Sequence, residues 1–394
     1  MALGALIAAY QEDDQGGLRA VLPLAGQTLI EYQARCAAAT GAAPVVVIVE
    51  RIPAALHEAF ERLRSDGIPI VAVTDAQEAA SRFEPSGMIL LLGDGVLPTP
   101  ELIAQVAAEA EPAVATVPDN PGYERFERID AHARWSGVAV LDGHLLASTA
   151  AMLGDWDLQS TLLRRAIQDG AVRIGLNEET GTPLLVDGPE QLPDFERAMV
   201  SASRGARRDF TSRLLLAPAE DFATARLMET AVRPLWLIWS AIALTIGASA
   251  AFLKGWPVLG VALLLLSAPL DLIAARLAVL RLRPLPTGLL AQRLLWPAAG
   301  VALVALGTWR MTTSGWGALA TALSAAAFAE AARIEAPKIP LSGEIWLFSR
   351  RNAIVLAVPF AIFGAWGSYL AVMALYAACS FFLLQNIRHR ERSN

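Results

Sequence analysis

The chain has 394 residues, of which 55% are hydrophobic and only 18% charged, with a formal net charge of −6. Ordinary soluble chains are about 45–50% apolar and about 25% charged, so the excess apolar surface must be hidden outside a normal core, and a purely soluble protein is excluded. The charge is also divided: residues 1–223 carry 17 Lys and Arg against 32 Asp and Glu, while residues 224–394 carry 15 against 6. An acidic front half lacks the clustered cations that phosphate-backbone binding needs, so no nucleic-acid partner is expected. Only Cys36 and Cys379 occur. One thiol in each half supports neither a disulfide framework nor a cysteine metal site, and fits a reducing cytoplasmic setting for the front half.

Taken in chain order, the opening MALGALIAAYQEDD lacks a basic n-region and reads as a first buried strand. Short runs rich in Val, Ile, Leu and Ala at 2–9, 44–50, 69–73, 88–92 and 113–117 alternate with helical stretches such as 28–40 and 53–66. This alternation predicts an open α/β sheet with helices on both faces. Ligands in such sheets bind beyond the carboxyl ends of the strands, which singles out the loops Tyr10–Arg19 and Gly93–Gly95. Asp94, in GDG, reads either as a turn residue or as a metal ligand; Asp187 reads either as a cap before PEQLPDFERAM or as a second ligand. The four histidines show no metal spacing, and Ser136, in WSG, is not in a nucleophile elbow.

A basic connector, SASRGARRDFTSR, leads into APAEDFATARLMETAVR, predicted as a juxtamembrane amphipathic helix with Phe222, Leu227 and Met228 toward lipid and Arg226 and Arg233 toward headgroups. Apolar stretches of spanning length follow at 235–253, 256–275, 290–309, 316–333, 352–367 and 368–386, predicting an all-α domain of six transmembrane helices. Arg281, Arg283, Lys338, Arg350, Arg351, Arg388, Arg390 and Arg392 fall on one side, against Lys254 and Arg310 on the other. The positive-inside rule then puts both termini in the cytoplasm. Tryptophans such as Trp256, Trp309, Trp316 and Trp366 fit interfacial anchoring. Asp271, the only aspartate after position 223, is either salt-bridged, with Arg276 as the nearest candidate, or functional. One intramembrane aspartate without an inverted repeat provides no ion pathway, which argues against a transporter. The domains are therefore expected at 1–205, 206–233 and 234–394.

LPLAGQTLIEY at 22–32, LLLGDG at 90–95, WSGVAVLDGHLL at 135–146 and VDGPEQL at 186–192 resemble segments of the nucleotidyltransferase fold of sugar-phosphate and inositol-phosphate cytidylyltransferases. The resemblance implies a CTP- or CDP-type nucleotide contacted by Arg19, Asp94 and Asp187, with Asp94 and Asp187 holding one divalent cation such as Mg. The chain departs from that family at the phosphate loop. Tyr10 replaces its first glycine, Glu12, Asp13 and Asp14 add negative charge, and no lysine precedes Lys254, leaving Arg19 to stand in. A phosphate about 4 Å from each such carboxylate would be opposed by on the order of 4 kcal/mol at an effective dielectric near 20.

In the back half, DLIAAR resembles the signature of the CDP-alcohol phosphatidyltransferases, a six-helix membrane family whose four aspartates hold two divalent metals. Asp271, Ala275, Arg276 and Gly288 match that signature; Ala268, Leu272, Gln292 and Trp296 stand where three of the aspartates and a glycine belong. The two resemblances occur together in bifunctional enzymes that make CDP-inositol and then transfer phosphoinositol. They imply a diverged, catalytically impaired relative, a pseudoenzyme of phospholipid head-group biosynthesis in the inner membrane. Such a protein would act by binding or by partnering, with the bilayer, a nucleotide, a second copy or an active paralogue as candidate partners. The alternative is an active nucleotidyltransferase anchored by its membrane half.

Overall fold

The computed structural model describes residues 2–154, 156–176, 181, 183–203, 209–230, 232–283, 290–335 and 344–393. The chain divides into two compact units, Met1–Met199 with Arg281–Arg283, and Val200–Leu280 with Pro284–Asn394.

The strands of the first unit are β1 (Leu3–Ala8), β2 (Pro23–Leu24), β3 (Gln27–Thr28), β4 (Val45–Ile48), β5 (Ile70–Val73), β6 (Met88–Leu92), β7 (Val96–Leu97), β8 (Ala113–Pro118), β9 (Ala133–Asp142), β10 (Val172–Gly175) and β11 (Leu184–Leu185). Seven form one sheet in the order β10-β8-β9-β6-β1-β4-β5. β1 runs parallel to β4 and β6, and β9 is inserted antiparallel between β6 and β8. The runs VVVI of β4 and MILLL of β6 are buried at every position, as continuous apolar strands must be when both faces of a sheet are covered. The five expected strands are all present. What the apolar-run reading misses in that sheet is the edge strand β10, three of whose four residues are exposed, and β9, whose ten residues begin in ARWSG and carry polar side chains into a buried setting.

Helices α1 (Leu29–Ala39), α2 (Ala54–Ser65), α3 (Ala76–Ser81), α4 (Pro100–Ala107), α5 (Gly143–Met152), α6 (Leu158–Gln168) and α7 (Leu192–Ala202) surround these strands. Their starts are written in the sequence. Thr28 and Glu31 form a reciprocal capping box on α1, Thr99 caps α4 ahead of Pro100, and Asp157 caps α6. Asp187 does not cap a helix: Gly188 precedes a 3-10 turn, Pro189–Gln191, that leads into α7.

The second unit is all helix: α8 (Ala217–Met228), α9 (Pro234–Leu253), α10 (Pro257–Ser267), α11 (Leu270–Leu280), α12 (Leu290–Ser314), α13 (Trp316–Glu335), α14 (Arg350–Ile362) and α15 (Trp366–Ser393). Four stretches are long and apolar enough to cross a bilayer: Pro234–Leu253, Pro257–Leu280, Leu290–Ser314 and Trp366–His389. This is a multi-pass membrane domain, and the expected six spans are corrected to four among the described residues. The reasons are local. α13 is 20 residues long, but it is alanine-rich and carries Glu330 and Arg333, which dilute its apolarity. α14 has only 13 residues, too few for about 30 Å of hydrocarbon. Small residues let these helices approach closely: a Cβ on Gly307 of α12 would lie 2.4 Å from that of Ala322 on α13. On α8, Phe222 is exposed while Met228 is buried, so the expected common lipid-facing stripe does not form. Connector residues 204–208, Lys338 and Gly288 lie outside the described residues.

Candidate functional site

The sheet changes direction between β1 and β6: from β1 the order proceeds through β4 and β5 to one edge, and from β6 through β9 to the other. Crevices beyond the carboxyl ends of strands at such switch points are where open α/β sheets bind ligands. Two segments emerge there, the loop Tyr10–Arg19 after β1 and the turn Gly93–Val96 after β6.

Asp94 is the centre of the turn. Its side chain is buried, and Oδ2 accepts the backbone N–H groups of Tyr10 and Gln11, each at 2.7 Å. Oδ1 is buried with no hydrogen-bond partner. Burial pushes the carboxyl up to about 6, against the pull of the Gln11 and Tyr10 N–H groups and the Arg19 charge. Two buried glutamines grip the turn. Gln33 Nε2 donates to Gly93 O at 2.9 Å and to Val96 O at 2.7 Å, and Gln159 Nε2 donates to Leu92 O at 3.1 Å. Gly95 has φ +70, and a Cβ there would meet the carbonyl oxygen of Val186 at 2.8 Å. Only glycine allows the β11 segment to lie against this turn, with Val186 N–H donating to Gly95 O at 2.8 Å. That approach delivers Asp187.

The Asp187 carboxylate is held by two arginines, Arg19 Nη2 at 3.0 Å on Oδ1 and Arg125 Nη1 at 3.0 Å on Oδ2. Arg19 also donates from Nη1 to Gln11 Oε1 at 2.8 Å and from Nε to Glu12 O at 3.0 Å. Arg19, Asp94, Arg125, Trp135 and Asp187 line one cavity of about 350 Å³. The three residues singled out in the sequence of the front half are thus brought together. Arg125 is missed by sequence reading because its partner lies 62 positions away, and PGYERFERID carries no motif that would reveal it.

The acidic loop is more self-contained than its charge suggests. Glu12 is paired with Arg51 at 2.6 Å. Asp13 Oδ1 accepts the N–H groups of Gln15 at 2.9 Å and Gly17 at 2.7 Å. Asp13 N–H donates to Gly17 O, Asp14 N–H to Asp187 O, Gly16 N–H to Asp13 O and Arg19 N–H to Gln11 O. Tyr10, in place of glycine, donates its hydroxyl to Asp157 Oδ2 at 2.5 Å. This pair lines a second groove of about 760 Å³ together with Ile48, Glu50, Asp75 and Trp156.

No group of three or more His, Cys, Asp or Glu side chains suited to a metal occurs among the described residues. The unpartnered Oδ1 of Asp94 is nevertheless a hard oxygen free to ligate, and Mg²⁺ is commonly held by one or two carboxylates together with substrate phosphates. Both Asp187 oxygens are engaged by arginine.

In the membrane unit, Asp271 sits in the first turn of α11, and its partners are not Arg276 but Arg350, at 2.9 Å, and Arg351, at 2.5 Å. Arg351 also reaches Asp209 at 2.8 Å. Arg276 turns instead to Glu220, Asp221, the Ser203 hydroxyl and the carbonyl of Val200. Ala275 is exposed on the same helix. The remnant signature therefore does not converge: Asp271 and Arg276 serve separate ion-pair clusters.

The model of the MobA-like NTP transferase domain covers residues 15–215. No curated protein matches the chain.

Proposed function

The chain belongs to the MobA-like NTP transferase domain family, and on that premise we propose that it is a membrane-bound relative of nucleotidyltransferases whose crevice still takes a phosphorylated ligand but whose nucleotide transfer is impaired. The observation that carries this reading is the state of the Tyr10–Arg19 loop. A triphosphate cradle works by presenting unsatisfied backbone N–H groups to anionic oxygens. In this loop the N–H groups of Tyr10, Gln11, Asp13, Asp14, Gln15, Gly16, Gly17 and Arg19 are already donated to Asp94, Asp13 or backbone carbonyls. The Asp13 carboxylate accepts two of these N–H groups, as a phosphate oxygen would in such a cradle.

What remains is a recess in which two arginines stand among the carboxylates of Asp94, Glu127, Asp157 and Asp187. Arg19 and Arg125 present guanidinium groups suited to bidentate contact with a phosphate, provided the ligand draws them from Asp187. A divalent ion bound there would be held by Asp94 Oδ1 and would neutralise phosphate charge. Asp94, Gln33 and Gln159 hold the turn in position with or without it.

In the membrane half, the likeness to CDP-alcohol phosphatidyltransferases supports a shared origin more than a shared reaction. A two-metal centre does not fit a site whose one aspartate is paired with Arg350 and Arg351. We take this half to be an inner-membrane anchor with cytoplasmic termini, through which the protein binds or partners in polyol-phosphate head-group synthesis. The test is purified full-length protein in detergent, supplied with CTP, inositol phosphate and magnesium, and separately with a CDP-linked donor and an alcohol acceptor. Saturable phosphate-ester binding without product supports the reading; turnover of either pair overturns it.

The second reading, an active nucleotidyltransferase anchored by its membrane half, is favoured by the orphaned Asp94 Oδ1 in the same cavity as Arg19, Arg125 and Asp187. It requires CTP turnover that Asp94→Asn abolishes.

A further inference from the structure

The membrane unit holds a cavity of about 460 Å³ bordered by residues of α10, α12, α13, α14 and α15. Its size lies inside the range of about 300–1,000 Å³ typical of small-molecule sites. Small side chains leave the room: Gly300 of α12 and Ala326 and Ala329 of α13 all line it, and a Cβ on Gly300 would meet only Ala326, at 3.7 Å. That is ordinary contact, so close helix packing demands glycine at Gly307 but not at Gly300.

The cavity is amphipathic along its length. The rings of Trp296 and Phe348 lie 6.2 Å apart, and Phe348 is two residues before Arg350, which places Arg350 at the Trp296 end. Ala326 stands against Gly300 and Ala322 against Gly307, so the later residue Glu330 falls at that end as well. From Trp296, α12 lines the cavity as far as Val304, about 12 Å on at 1.5 Å per residue, and buried Leu264 and Ile354 add apolar wall. Both charged lining residues are paired within the protein, Arg350 with Asp271 at 2.9 Å and Glu330 with Arg333. The mouth is on α12, where Pro297 and Val301, one turn apart, line the cavity and are exposed. Because α12 is one of the four stretches long and apolar enough to span a bilayer, the cavity is continuous with surface that lipid covers.

We propose that this cavity is a lipid site: it takes one acyl chain of a membrane phospholipid, entering past Pro297 and Val301 with the headgroup at the Trp296–Arg350 end, and it selects by chain rather than by headgroup. The length fits, since about 12 Å is most of the depth of one leaflet of a hydrocarbon core about 30 Å thick. Along most of that length the wall gives water no hydrogen-bond partner, whereas a hydrocarbon chain meets it with dispersion contacts. Moving a chain from the bilayer into the protein gains nothing from the hydrophobic effect, so fit to the wall is what selects. The paired state of Arg350 and Glu330 removes the charge by which one headgroup would be preferred to another. The site is independent of ligand binding in the first unit.

The experiment uses full-length protein in vesicles of an equal mixture of phosphatidylethanolamine and phosphatidylglycerol, doped with either lipid carrying a diazirine in the middle of one acyl chain. Photolysis is followed by peptide mapping. Label is expected at buried Leu264 and Ile354, saturating as the probe fraction rises and equal within about twofold for the two headgroups, beside non-saturating label at exposed Ile246 of α9. Gly300→Leu and, independently, Ala326→Phe place side chains in the cavity and should lower the label at Leu264 and Ile354 at least fivefold while leaving Ile246 unchanged. Wild-type label confined to exposed positions such as Ile246 overturns the proposal, as does a smaller drop in a folded variant. A headgroup preference beyond twofold overturns selection by chain. If neither variant folds, the wild-type map decides.

Discussion

Replacing Asp94 with asparagine tests whether the crevice stores an electrostatic penalty. The carboxyl is 4% exposed, and burial raises it from an ordinary 3.8 to about 6. At about 1.4 kcal/mol for each tenfold change in proton affinity, ionising Asp94 costs the folded state about 3 kcal/mol. The folded form holds its proton more tightly than the unfolded form. The associated stability is therefore fully present below about pH 4 and is lost as pH rises through 6. Asparagine resembles the protonated acid and does not titrate, and its Oδ1 can still accept from Tyr10 and Gln11. Asp94→Asn should match the wild type at pH 4 and exceed it by about 3 kcal/mol above pH 7. For a unit of this size that is roughly 6–12 °C. Thermal unfolding of the first unit, followed in detergent by tryptophan fluorescence from pH 4 to pH 8, gives the readout. Parallel pH profiles for the two proteins would refute the reasoning, since the titrating group would then lie elsewhere.

Three further outcomes follow from the packing. Glu31→Ala should destabilise the first unit by about 1.5–3 kcal/mol in chemical denaturation, because Glu31 is 1% exposed and its removal takes away a charged hydrogen-bond partner of Arg35, which keeps Asp66, and frees Arg62 and the Thr28 cap. Asp271→Ala should cost about 3–5 kcal/mol, read as a lower thermal transition in detergent, because buried Arg350 loses its carboxylate partner. Gly95→Ala places a side chain at positive φ and against the Val186 carbonyl. It should cost about 1–3 kcal/mol, and by displacing Asp187, the carboxylate that competes with a phosphate for Arg19 and Arg125, it should tighten phosphate binding severalfold, as titration calorimetry would report.

What the sequence made legible follows from what local patterns encode. Continuous apolar runs such as VVVI and MILLL identify strands buried on both faces, and Thr28 with Glu31 marks a helix start, because these features depend on near neighbours. The GDG turn and VDGPEQL segment likewise carry Asp94 and Asp187 to the correct edge of the sheet. The antiparallel β9 is harder to see, since its early residues are polar and are satisfied only by tertiary partners. Arg125 and Asp157 join the site through contacts spanning 62 and 147 positions, which no periodicity records. In the membrane half, Arg276 is near Asp271 in sequence, yet Arg350 and Arg351 reach it from a different helix. Length alone also overcounts spans, because alanine with one acid–base pair, as in α13, is less apolar than its run suggests.

The two glutamines that clasp the Asp94 turn tie the floor of the crevice to helices α1 and α6 at once. An occupant arriving beside Asp94 would therefore meet a frame already set, with little ordering left to lose. Its arrival should leave a trace at a distance, as slowed deuterium uptake along the backs of both helices rather than as a visible change of shape.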